Sequence, residues 1–110
     1  MKRLFIVLFI CCFLFGCSTN SMTNDIKSIM DKNEYIIVDV RTKEEYQESH
    51  IVGAINIPYD EIDNSLDKSK TIFVYCKSGK RSSIAYNNLI SMGYTVYDLG
   101  AFDNIQLNKE

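Results

Sequence analysis

The run Cys76-Lys77-Ser78-Gly79-Lys80-Arg81 is where this chain can do chemistry. It follows the apolar, β-branched stretch Thr71-Ile72-Phe73-Val74-Tyr75 and precedes a helical pattern that begins at Ser82. A cysteine at the end of a strand, a short basic loop and a helix N-terminus together form a device for holding a thiolate. Backbone N–H groups of such a loop point at the sulfur or at an anion bound beside it. Lys77, Lys80 and Arg81 place three positive charges near the thiol, which lowers its pKa and populates the nucleophilic form. Gly79 supplies a position free to take the positive φ that a tight cradle needs. A cysteine ending a strand is ordinarily a small buried hydrophobe; the three cations are what set Cys76 apart.

The other cysteines, Cys11, Cys12 and Cys17, all lie near the N-terminus. Met1-Lys2-Arg3 is a basic start and Leu4 to Phe15 is almost purely apolar, the pattern of an export signal. The apolar run is shorter than the about 20 residues a bilayer span needs. It ends in Leu14-Phe15-Gly16-Cys17, which resembles the lipobox of bacterial lipoproteins, with Phe15 bulkier than that pattern usually carries. The resemblance implies a signal over residues 1–16, a lipidated Cys17 with a polar tether over 17–24, and a domain over 25–110. An uncleaved signal anchor is the alternative, and both place the domain on a membrane, on its extracytoplasmic side. Two or more acyl chains give stable anchoring where one does not. With Cys11 and Cys12 removed and Cys17 lipidated, Cys76 is the only free thiol, and an unpaired cysteine in an exported domain reads as reactive.

Length and charge bound the function further. The chain has 110 residues, enough for one domain. Removal of Lys2 and Arg3 from its 12 basic residues leaves ten against 14 acidic ones, a net charge of −4. An acidic protein with one basic focus suits a small anion and not a nucleic acid.

The elements that must position Cys76 follow from apolar patterning. Thr23 or Asn24 can cap a helix with Ile26, Ile29 and Met30 on one face. Tyr35-Ile36-Ile37-Val38 reads as a strand buried on both sides. Thr42-Lys43-Glu44-Glu45 has the spacing of a capping box that opens a brief helix through Glu48. Ala54 to Ile57 reads as a strand stopped by Pro58, and Asp60 to Leu66 as a helical turn or short helix with Ile62 and Leu66 at i, i+4. After the strand Thr71–Tyr75, Ser82 or Ser83 caps a helix with Ala85, Leu89 and Met92 on one face and Gly93 at its stop. Thr95-Val96-Tyr97 is a last strand, with a helical turn from Ala101. Alternating strands and helices predict an α/β layer fold with a mainly parallel sheet. Sites in such sheets form at the carboxyl ends of strands, where Cys76 lies.

Several segments together resemble the rhodanese-like family. Val38-Asp39-Val40-Arg41 with Glu44-Glu45-Tyr46, then His50 to Pro58, is similar to its N-terminal signature. Val74 to Ser82 resembles its active-site loop, and Gly93 to Gly100 the segment that closes the domain. The resemblance implies a three-layer sandwich with helices on both faces of the sheet. It also implies a single-domain sulfurtransferase, a monomer that needs no cofactor. In such enzymes the loop cysteine takes the outer sulfur of a donor such as thiosulfate as a persulfide. A thiol or cyanide-type acceptor then removes it, in two-step covalent catalysis. Cys76 would be the nucleophile. The backbone of Lys77, Ser78, Gly79, Lys80 and Arg81 would cradle the persulfide, and the three cations would draw in the anionic donor. The related phosphatases use a loop one residue longer, so the six-residue loop favours sulfur over phosphate. Ala101 and Ile105 stand where many relatives carry glycine and tryptophan.

Among other residues, Asp39 and Arg41 read as support for the sheet edge, and His50 as structural. One histidine and one free cysteine make no tetrahedral metal site. A non-catalytic module that holds an anion or persulfide, and a phosphatase or arsenate reductase-like activity, are the competing functions.

Overall fold

The computed structural model describes residues 24–110. The signal-type segment 1–16, Cys17 and the tether through residue 23 lie outside the described residues. Residues 24–32 form a helix, α1, in which Asn24 is helical, and the alternative cap Thr23 lies outside the described residues. Asn33–Glu110 form a separate compact unit, which carries the sheet and the Cys76 loop.

In that unit β1 (Tyr35–Asp39), β2 (Ile55–Asn56), β3 (Thr71–Cys76) and β4 (Val96–Ala101) form one sheet in the order β2-β1-β3-β4. Every neighbouring pair is parallel. Parallel sheets persist only when both faces are covered, and all six side chains of β3 are buried. Successive side chains of a strand point to opposite faces. Ile72, Val74 and Cys76 therefore share one face, where they cluster with Val38, Val40, Val96 and with Ala85 and Leu89 of the helix α3 (Lys80–Ser91). Phe73 and Tyr75 occupy the other. Tyr35 and Tyr97 contact the Phe73 ring at centroid distances of 5.8 and 5.5 Å. Each fully buried Ile, Val or Leu contributes about 1.5–3 kcal/mol, so this core fixes β3 and the residue at its end.

The capping box forms as read: the Thr42 side chain accepts from the Glu45 N–H at 3.2 Å, and the Glu45 carboxylate accepts from the Thr42 N–H at 3.0 Å. It opens α2 (Lys43–Glu48). Four other expectations are corrected. The strand over 54–57 shrinks to Ile55–Asn56. Ala54 closes a turn onto Ile51, and Pro58, which has no N–H, leads into a 3-10 turn at Tyr59–Glu61. Of the helical turn or short helix expected over 60–66, only that turn at Tyr59–Glu61 forms. Asp63 and Asp67 accept hydrogen bonds from the N–H groups of Ser65 and Ser69, and these side-chain turns compete with helix. The helix after the loop starts at Lys80 with Gly79 as its N-cap, not at Ser82 or Ser83. Finally, β4 runs to Ala101, because a register shift between Val74 and Tyr75 leaves Leu99 unpaired and sets Tyr75 opposite Gly100. A second 3-10 turn, Phe102–Asn104, follows it.

Candidate active site

Cys76 ends β3 with its side chain fully buried. The chain then turns within three residues into α3, and Gly79 makes this possible with φ at 97°. A Cβ on Gly79 would also stand 3.9 Å from the Cα of Gly100, the glycine of the β4 bulge. The Gly79 N–H donates to Cys76 Sγ at 3.0 Å. The hydroxyl of Ser82, buried in the first turn of α3, lies 3.5 Å from the sulfur and 3.2 Å from the Gly79 carbonyl. In the thiol form the S–H donates to Ser82 Oγ, which donates onward to Gly79. On ionisation the same hydroxyl is placed to turn its proton toward the thiolate.

The pKa of Cys76 is lowered, and the cause differs from the one the sequence suggests. Burial pushes it up. Hydrogen bonds from the Ser82 side chain and from the backbone N–H groups of Ser82, Gly79 and Ser78 more than offset that. The ammonium groups of Lys77 and Lys80 form no ion pair among the described residues, and both side chains are exposed. Arg81 is engaged elsewhere, with Nη1 and Nη2 donating to the two carboxylate oxygens of Glu45 at 2.7 and 3.2 Å. Those bonds hold the Glu45 carboxyl down at about 2. Glu45 thereby ties the start of α2 to the start of α3. Arg81, expected to draw in the anionic donor with Lys77 and Lys80, is a strut between two helix N-termini through its pair with Glu45, and its charge also acts on the Cys76 sulfur.

Asp39 and Arg41 form a buried ion pair. Arg41 Nη2 and Nε donate to Asp39 Oδ2 and Oδ1 at 2.6 and 2.9 Å, and Nη2 also reaches the Ser49 carbonyl at 2.6 Å. The Tyr75 hydroxyl donates to Asp39 Oδ2 at 2.8 Å and accepts from the Ile51 N–H at 3.0 Å. Burial, together with the bond to Asp39, holds that phenol above its usual range, so it stays a donor. Phe102 stacks on Tyr75, with the Arg41 guanidinium 4.3 Å from its centroid. The network fixes the carboxyl ends of β1 and β3 together, one residue from Cys76. His50 stays away from this network: its ring stacks on Tyr46, and its nitrogens contact the Tyr46 carbonyl and Glu110.

Beside the loop lies a pocket of about 280 Å³ lined by Arg41, Glu45, Glu48, Ser49, Lys77 and Phe102. Sequence reasoning missed Glu45 as the partner of Arg81, Ser82 as a ligand of the sulfur, and Phe102 altogether. Glu45 and Ser82 were visible as capping residues, but only the fold brings Glu45 to Arg81, 36 positions away. Phe102 carried no motif.

Residues 22–107 match the sequence profile of the family described as the rhodanese-like domain. The chain belongs to that family. Thiosulfate sulfurtransferase PspE of Escherichia coli is 41% identical over 78 residues, covering 66% of this chain and 75% of PspE. Thiosulfate sulfurtransferase GlpE of Coxiella burnetii is 32% identical over 80 residues, covering 68% and 75%. Among solved structures, a rhodanese with anions from E. coli superposes with a TM-score of 0.65 at 38% identity, over 69% of this chain and 96% of that one. This rhodanese-like chain is thus a sulfurtransferase-type enzyme with the α/β fold of its relatives, built on a four-stranded parallel sheet.

Proposed function

We propose that the protein moves sulfane sulfur from thiosulfate or a persulfide donor to a thiophilic acceptor through a persulfide on Cys76. The thiolate attacks the outer sulfur of thiosulfate, an S–S bond forms to Sγ, and sulfite leaves with the electron pair of the bond that breaks. The acceptor then attacks the outer sulfur of the persulfide, and the pair of the Sγ–S bond returns to Cys76 as thiolate. The observation that carries this reading is the converging set of donors on Sγ, from Ser78, Gly79 and Ser82. They stabilise a sulfur anion before the donor arrives and again when the acceptor departs. Both guanidinium nitrogens of Arg81 that would grip a phosphate are taken by Glu45, which speaks against a phosphatase or arsenate reductase-like role. Full burial of Cys76 favours one second reading, a module that holds a persulfide for a partner without turning over.

Steady-state formation of thiocyanate from thiosulfate and cyanide separates the two. Parallel double-reciprocal lines that vanish in Cys76→Ser support the transferase. Activity retained in that variant contradicts the assigned nucleophile. We place the enzyme at the membrane, on the extracytoplasmic side, through a lipidated Cys17. The basic start, the apolar run and the Leu14-Phe15-Gly16-Cys17 sequence support that placement.

A further inference from the structure

Four of the six residues lining the pocket beside the Cys76 loop are already engaged or neutral. Arg41 is neutralised by Asp39 and bonded to the Ser49 carbonyl. Glu45 is neutralised by Arg81 and bonded to Thr42. Phe102 and Ser49 carry no charge. Two groups remain, the carboxylate of Glu48 and the ammonium of Lys77, and neither has an ion-pair partner among the described residues. The pocket thus offers one uncompensated negative and one uncompensated positive charge, an aromatic wall and a hydroxyl. At about 280 Å³ it falls just below the about 300–1,000 Å³ of drug-sized sites. It has room for a molecule of amino-acid size. Its wall includes Lys77, the residue next to the nucleophile.

A lone small anion would use only half of this polarity. A ligand carrying both an ammonium and a carboxylate would use all of it. We infer that this pocket is the acceptor subsite of the transferase and selects a zwitterionic amino-acid thiol. Its ammonium pairs with Glu48, its carboxylate with Lys77, and its methylene lies against the edge of Phe102. The inference rests on the sulfurtransferase reading and names the acceptor class for it. In the step itself the acceptor thiolate forms a bond to the outer sulfur, the Sγ–S bond breaks, and its electron pair stays on Cys76. The acceptor leaves as its own persulfide. No oxidant or reductant beyond the two sulfur partners is needed.

The test uses the full chain in detergent, loaded on Cys76 from thiosulfate and confirmed by the mass gain of one sulfur atom. Discharge rates are then measured with cysteine, with cysteamine, which lacks the carboxylate, and with 3-mercaptopropionate, which lacks the ammonium, each corrected for thiolate fraction. Exposed ion pairs contribute modestly, so cysteine should exceed each singly charged analogue by about two- to fivefold. Glu48→Gln should abolish the advantage of cysteine over 3-mercaptopropionate, and Glu48→Lys should make the anionic thiol the better acceptor. Lys77→Met should abolish its advantage over cysteamine. If the loaded enzyme discharges all three thiols at equal corrected rates, or the ratios do not move in the variants, the subsite is overturned while the sulfurtransferase stands. Failure to load Cys76 from any sulfane donor would overturn both.

Discussion

At Cys76 the cost of burying a thiolate is met by three backbone N–H groups and the hydroxyl of Ser82. Hydrogen bonds to charged groups are worth about 1.5–3 kcal/mol each, whereas the exposed Lys77 and Lys80 act through water and are screened by salt. Two substitutions separate these effects. Ser82→Ala should raise the pH midpoint of iodoacetamide alkylation and slow sulfur loading at neutral pH by about tenfold. Lys80→Met should leave that midpoint in place. The sign follows from the direction of the shift. A depressed thiol pKa keeps Cys76 reactive below the usual midpoint near about 8.5, and loss of a donor pushes the reactive window upward. An unmoved midpoint in Ser82→Ala would contradict the part assigned to the hydroxyl and leave the shift to the backbone N–H groups, and a raised midpoint in Lys80→Met would assign it to the loop cations instead.

Between elements, the Glu45–Arg81 pair and the turn at Gly79 hold the loop in shape. Glu45 caps α2 and receives both ends of the Arg81 guanidinium at the start of α3. Glu45→Gln keeps the shape but removes the charge, and should lower unfolding free energy by about 2 kcal/mol in urea titration. The folded carboxyl sits at about 2 against an ordinary value of 4.5. This contribution is therefore present above about pH 4.5 and is lost as pH falls toward 2. Acid unfolding of the wild type should show that loss, and of Glu45→Gln a smaller one. Gly79→Ala forces a Cβ onto a φ of 97° and should cost about 1–2 kcal/mol. The capping box and the apolar run of β3 were legible in the sequence because both are local patterns. The bulge at Leu99 and the Arg81 partner were not, since each depends on a neighbour distant in the chain. For the same reason the six-residue loop was readable as an anion cradle, while the identity of its donors awaited the fold.

Across the molecule, the parallel sheet carries Cys76 at the carboxyl end of a fully buried strand, braced by the charge network beneath it. Asp39→Asn leaves Arg41 buried without its counter-ion, and should destabilise the fold by about 3–5 kcal/mol, read as a drop in thermal midpoint. The proposed membrane attachment through Cys17 is tested by Cys17→Ser, which should release the protein into the soluble fraction; continued membrane retention with an unprocessed N-terminus would indicate a signal anchor. The central claim is that Cys76 carries sulfur. Intact-mass measurement of the purified chain after incubation with thiosulfate tests it most directly. The account predicts a gain of one sulfur atom on Cys76, absent in Cys76→Ser and removed by cyanide. An unchanged mass with every sulfane donor tried, or a gain that persists in Cys76→Ser, would contradict it.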